Sequence, residues 1–139
     1  MNKYYQQEIL YTILGNVSYF YEKNKKSYNK KCKDFIMSLP FVIFPEESKN
    51  ELFKIIIDNP IDSYLDSQDD LKKYCFYIYK KFSMFLSLEY DDYEKFHEEI
   101  KFKIENDNQV IREIRYKYIK MFVFLFIMIF IIVIYHKYL

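Results

Sequence analysis

One glycine and three prolines in 139 residues leave this chain few ways to turn. All-β folds need turn residues every few positions, and Gly15, Pro40, Pro45 and Pro60 cannot supply them. The same scarcity excludes a collagen-like or Gly/Pro-rich linker protein. Disorder is excluded by the opposite excess: 51% of residues are hydrophobic and 22% aromatic, with 16 Tyr and 14 Phe. Such a chain holds enough apolar surface to offset the entropy of ordering. Its length is room for one domain with a core that needs no disulfide or metal staple. The expectation is therefore all-α.

Part of the bias comes from the coding sequence. Lys (19), Ile (19), Tyr (16), Phe (14) and Asn (8) belong to AT-rich codons, and Ala is absent. Lys over Arg, or Ile over Ala, is then not a physical choice at each position. Charge is balanced, with 21 basic and 20 acidic residues. A near-neutral domain has no electrostatic reason to bind nucleic acid. Lys23-Asn24-Lys25-Lys26 and Lys30-Lys31-Cys32-Lys33 read as solvated basic stretches. Cys32 and Cys75 lack CxxC spacing and are expected as reduced thiols, Cys75 in the core.

The strongest local signal is fifteen residues without a charge: Met121-Phe122-Val123-Phe124-Leu125-Phe126-Ile127-Met128-Ile129-Phe130-Ile131-Ile132-Val133-Ile134-Tyr135. As a helix they span about 22 Å, and Tyr118 to Tyr138 spans about 30 Å, enough to cross a bilayer with snorkelling Lys and interfacial Tyr at the ends. The start of the chain is polar and has no apolar h-region, so a tail anchor inserted after translation is expected. Arg112, Arg115, Lys117 and Lys120 precede the run and only Lys137 follows it, which keeps residues 1–117 cytosolic and makes 118–139 the anchor. A short span with basic flanks is similar to the tail anchors of the mitochondrial outer membrane; the endoplasmic reticulum is the second expectation.

Helical periodicity fills the rest. Ile9, Leu10, Ile13, Leu14, Val17, Phe20 and Tyr21 mark a helix over about 3–25, with Gly15 set for a close helix contact. Residues 29–38 form a shorter helix. Leu39-Pro40-Phe41-Val42-Ile43-Phe44-Pro45 is expected to be extended or tightly turned, because proline disfavours helix in the residue before it. Ser48-Lys49-Asn50-Glu51 reads as a capping box opening a helix that ends at Asn59-Pro60. Ile61–Asp66 adds one turn. Ser67-Gln68-Asp69-Asp70 caps a central helix carrying Leu71, Cys75, Ile78, Phe82, Phe85 and Leu86. Asp91-Asp92 opens the next, with Phe96 and Ile100 on its apolar face. Asn106-Asp107-Asn108 is expected to break it before a last helix with Val110, Ile111 and Ile114. The sum is a compact bundle of about six helices followed by a transmembrane helix.

The sequence carries no motif of a catalytic or metal site. His97-Glu98-Glu99 lacks the second His of HExxH, no Cys/His set has zinc spacing, and one Gly excludes GxGxxG, the P-loop and GxSxG. The acidic pairs fall in first turns and on exposed faces. The reading is a non-enzyme with no metal and no cofactor.

An apolar central helix beginning near Gln68-Asp69-Asp70-Leu71-Lys72-Lys73, a helical domain and a short basic-flanked anchor together resemble the Bcl-2 family, in particular its poxviral apoptosis inhibitors. The cellular Asn-Trp-Gly-Arg motif is absent. The resemblance implies a groove built by residues 29–87 and lined by Phe41, Phe44, Leu52, Phe53, Ile56, Tyr74 and Ile78. Lys72 or Lys73 would meet the ligand's aspartate. It implies capture of the BH3 helices of Bak, Bax and BH3-only proteins at the host mitochondrial outer membrane, with the lipid bilayer and a second copy of the chain as further partners. For each lining residue the plain alternative is core. Leu10-Tyr11-Thr12-Ile13-Leu14-Gly15-Asn16 is faintly similar to a BH3 segment, but Asn16 stands where an acid belongs, so it reads as a packed first helix. A SNARE-type trafficking protein would put Lys103 and Asp107 on core positions of its heptads. A structural or assembly protein of a viral or organelle membrane stays open.

Overall fold

Helix starts are set by side chains that accept from otherwise orphaned backbone N–H groups. Asn2 Oδ1 accepts from Tyr4 N at 2.9 Å, Ser67 Oγ from Asp70 N at 3.0 Å, and Asp92 Oδ1 from Lys95 N at 2.9 Å. In the computed structural model these caps open α1 (Lys3–Phe20), α4 (Gln68–Phe85) and α5 (Tyr93–Tyr138). Between them lie α2 (Lys26–Ile43), α3 (Glu46–Asp58) and a 3-10 turn (Ile61–Tyr64). The structure describes residues 1–21 and 26–138, with side chains at all of these except 26, 27, 42, 43 and 127–138. Every described element is helical. The chain divides into two compact units, Met1–Lys101 and Phe102–Leu139.

Three local expectations are corrected. Residues 39–43 are not extended: α2 runs through Pro40 to Ile43. Pro40 stands near the C-terminal end, where it interrupts only one i→i−4 bond. The neighbouring Ile36 and Leu39 are 0% and 2% exposed, so packing holds the turn. The helix after it is not opened by a Ser48 capping box. It starts at Glu46 with Pro45 as N-cap, and Ser48 lies inside, buried. Glu46 and Glu47 put two acids on the positive end of the dipole, a start signal that outweighs the box. Asn106-Asp107-Asn108 does not end a helix: α5 continues through it. Exposed Asn and Asp cost a helix only a few tenths of a kcal/mol each, and 93–138 holds neither Gly nor Pro. Two expected helices and the expected span are therefore one element, and about six helices become five α-helices and a 3-10 turn among the described residues.

In the first unit α4 packs against α1, α3 and the 3-10 turn, and α2 packs against α3. Leu71, Tyr74, Cys75, Ile78, Tyr79 and Phe82 make α4 the buried centre. Phe96 and Ile100, from the first turns of α5, complete the core at 0% and 3% exposed. Tyr11, Tyr79 and Phe96 form a ring cluster, with centroids 4.8 to 5.5 Å apart. The inward face of α1 is Gln6, Leu10, Tyr11, Leu14, Gly15 and Ser18 rather than the larger apolar set, and Phe20 is left exposed. Small residues at 15 and 18 let a neighbouring helix approach, which size alone does not indicate. The expected continuation of this helix to residue 25 reaches 22–25, outside the described residues, while α1 ends at Phe20.

Among the described residues no helix is long and apolar enough to cross a membrane. The apolar run continues through Ile127–Tyr135, whose side chains lie outside that description.

Candidate partner-binding surface

The nine residues expected at a groove separate into three groups. Leu52, Ile56, Tyr74 and Ile78 are 0% to 2% exposed and form core between α3 and α4. Phe44 joins them, buried with its ring 5.2 Å from that of Phe82. Phe41 and the half-buried Phe53 come together at the edge of the core instead. Their rings meet edge to face at 5.1 Å, with Phe41 58% exposed. Such a pair is worth about 0.5–1.5 kcal/mol beyond its buried area.

α3 extends this surface. Phe53 and Ile57 stand four residues apart, hence on one face, and Ile57 is 51% exposed. Lys49, one turn earlier, places Nζ 6.0 Å from the centre of the Phe41 ring and pairs with Glu46. A cation thus borders two aromatic rings and an isoleucine, an arrangement suited to an amphipathic helix that carries an acid beside its apolar stripe. Lys72 and Lys73 lie elsewhere, on the outer side of α4. Their nitrogens are 3.5 and 3.2 Å from Asp69 and Asp70. Exposed i,i+3 pairs of this kind are worth about 0–1 kcal/mol, so a competing carboxylate displaces them easily.

A second apolar surface escaped the sequence reading. Val17, Phe20 and Tyr21 of the α1 end, with Tyr28, Lys31, Cys32 and Phe35 of α2, line a cleft of about 360 Å³. Helical spacing puts Phe20 on the inward face of α1, whereas it is 58% exposed and borders this cleft. Tyr21 is fixed at the cleft floor, its hydroxyl donating to the Leu65 carbonyl at 2.7 Å. Burial pushes the Cys32 thiol up to about 11. It stays protonated at neutral pH and is a poor nucleophile. Cys75 is fully buried, and burial raises its pKa as well.

Polar groups left over in the first unit are few. Among the described residues, Gln6 Oε1, Tyr74 Oη and His97 Nε2 are buried without a hydrogen-bond partner. No group of three or more His, Cys, Asp or Glu is placed to hold a metal among the described residues. No family model, curated protein or solved structure matches the chain.

Proposed function

We propose that this chain is a membrane-tethered inhibitor of apoptosis that sequesters the BH3 helices of pro-apoptotic proteins of the Bak, Bax and BH3-only kinds. The observation that carries the reading is the Phe41–Phe53 pair, left at the edge of the core beside Ile57 and Lys49 while the core beneath is filled without it. The stripe of a BH3 helix would lie across the rings and its aspartate would reach Lys49 in place of Glu46. The all-helical first unit with a buried central α4 supports the family resemblance, and the apolar run supports the mitochondrial outer membrane as the site of action. The docked helix would be held off its targets, which then fail to permeabilise that membrane.

Calorimetric titration of the detergent-solubilised chain with a panel of BH3 peptides tests this. Submicromolar binding that Phe53→Ala or Phe41→Ala weakens, in a chain of unchanged helicity, supports the reading. A folded chain that binds none of the peptides sinks it and moves the function to assembly of a viral or organelle membrane.

A further inference from the structure

In the second unit, Phe102–Leu139, a helical segment carries more exposed apolar surface than a helix in water retains unaided. Ile111, Ile114, Tyr118 and Met121 are each 49% to 58% exposed. Steps of three and four residues put them on one stripe of the helix. Off the stripe, Tyr116 and Ile119 are exposed too, among a set of bases. Arg112, Arg115, Lys117 and Lys120 face a single acid, Glu113, within nine residues. Among the described residues none of these five is in an ion pair, and Lys120 is engaged only by the Tyr116 ring, 4.6 Å from its Nζ. One shallow concavity brings the two chemistries together: Ile114, Lys117, Tyr118 and Met121 line it.

We propose that residues 111–121 form a collar that binds anionic lipid headgroups. The argument is charge complementarity. A segment with four bases and one acid repels a second copy of itself along the flanks of the stripe, and attracts a surface of phosphates. Lys120, Lys117 and Arg115 lie within about 9 Å of Met121 along the axis. A headgroup layer at the start of the apolar run is then inside the screening length of roughly 8–10 Å. Each such base contributes a factor of about five in affinity for an anionic leaflet. Ile114 and Tyr118 would rest at the boundary between headgroups and acyl chains, with the Lys117 ammonium on a phosphate. This rests on the membrane placement proposed above, and adds to it a choice of lipid.

The test is flotation of the full chain synthesised beside vesicles of phosphatidylcholine alone or with about 30% phosphatidylserine. The expected result is at least about tenfold more chain on the anionic vesicles, a preference that fades as salt shortens the screening length. Replacing all four bases (R112Q, R115Q, K117Q and K120Q together) should leave equal flotation on both. Equal flotation by the natural chain overturns the collar. So does a preference that survives the fourfold variant, which would place the anionic contact elsewhere. So does equal flotation together with a crosslinked dimer that Ile114→Asp abolishes, since a second copy then covers the stripe. Alkaline carbonate separates the two readings. Preference for anionic vesicles with complete extraction keeps the collar and removes the span; resistance to extraction without preference does the reverse.

Discussion

A β-carbon on Gly15 would stand 2.1 Å from Cδ1 and 2.5 Å from Cγ1 of Ile100. The side chain of Ile100 therefore occupies the space that any other residue at position 15 would need. Ile100 is 3% exposed and β-branched, so its χ1 has no free alternative within a helix. Gly15→Ala gains up to about 1 kcal/mol in helix propensity. Overpacking costs about 1–3 kcal/mol and wins. Chemical denaturation should show Gly15→Ala less stable than the natural chain. Adding Ile100→Ala should cost less in the Gly15→Ala background than alone. Strict additivity in that cycle would mean the two residues do not compete for space.

Tyr74 is 1% exposed and its hydroxyl has no hydrogen-bond partner among the described residues, while its ring lies 5.2 Å from that of Tyr64. Burial raises its pKa, so it stays a neutral phenol. Leaving a hydroxyl unpaired in a core costs about 1–3 kcal/mol. Tyr74→Phe keeps the ring and removes the cost. The urea midpoint should rise, by about 1 kcal/mol in stability. A lower midpoint would show that the hydroxyl is satisfied.

Burial, and then the charge of Lys72, hold the pKa of His97 below its ordinary 6.5, with Asp69 opposing. Tyr19 of α1, Lys72 of α4, and Glu98 and Lys101 of α5 line the same recess. Below pH 6.5 the unfolded chain binds a proton that the folded chain refuses. Stability from this group is complete above that value and falls as pH drops toward the folded pKa. Measured between about pH 7 and pH 5, the natural chain should lose stability steadily, and His97→Gln should lose less. Identical slopes for the two chains would remove His97 as the cause.

Surface and core positions of the candidate site should respond differently. Ile78→Ala empties a fully buried position and should cost about 2–5 kcal/mol. Phe41→Ala, at 58% exposed, should cost less than about 1.5 kcal/mol, roughly the worth of the ring pair. Thermal melts check this. A Phe41→Ala loss as large as that of Ile78→Ala would show the ring to be structural rather than a contact held out for a partner.

The helices from Ser67 and from Asp92 were legible because caps and acids are local and act through the first turn. The run of α2 through Pro40 is not legible, because the penalty of proline is local, whereas the burial that overrides it comes from the rest of the core. Ser48 has the chemistry of a cap, yet Pro45 and two acids start the helix earlier. The groove residues show the same limit. Phe41 and Leu52 are both large and apolar, and nothing in their spacing tells which is 58% exposed and which 0%. That depends on which face of α2 meets α3 and which face of α3 meets α4. Gly15 was legible as a contact because a lone glycine within a helix costs stability unless something needs the room.

The Tyr11 ring packs against both Tyr79 and Phe96, and its hydroxyl donates to Glu99 at 3.1 Å. During synthesis α1 therefore waits for partners some seventy to ninety residues behind it. Contacts at such separation close late and slowly. Until α4 and then Phe96 emerge, the apolar face of α1 is uncovered. Tyr11 thus closes this part of the core only once the start of α5 is made.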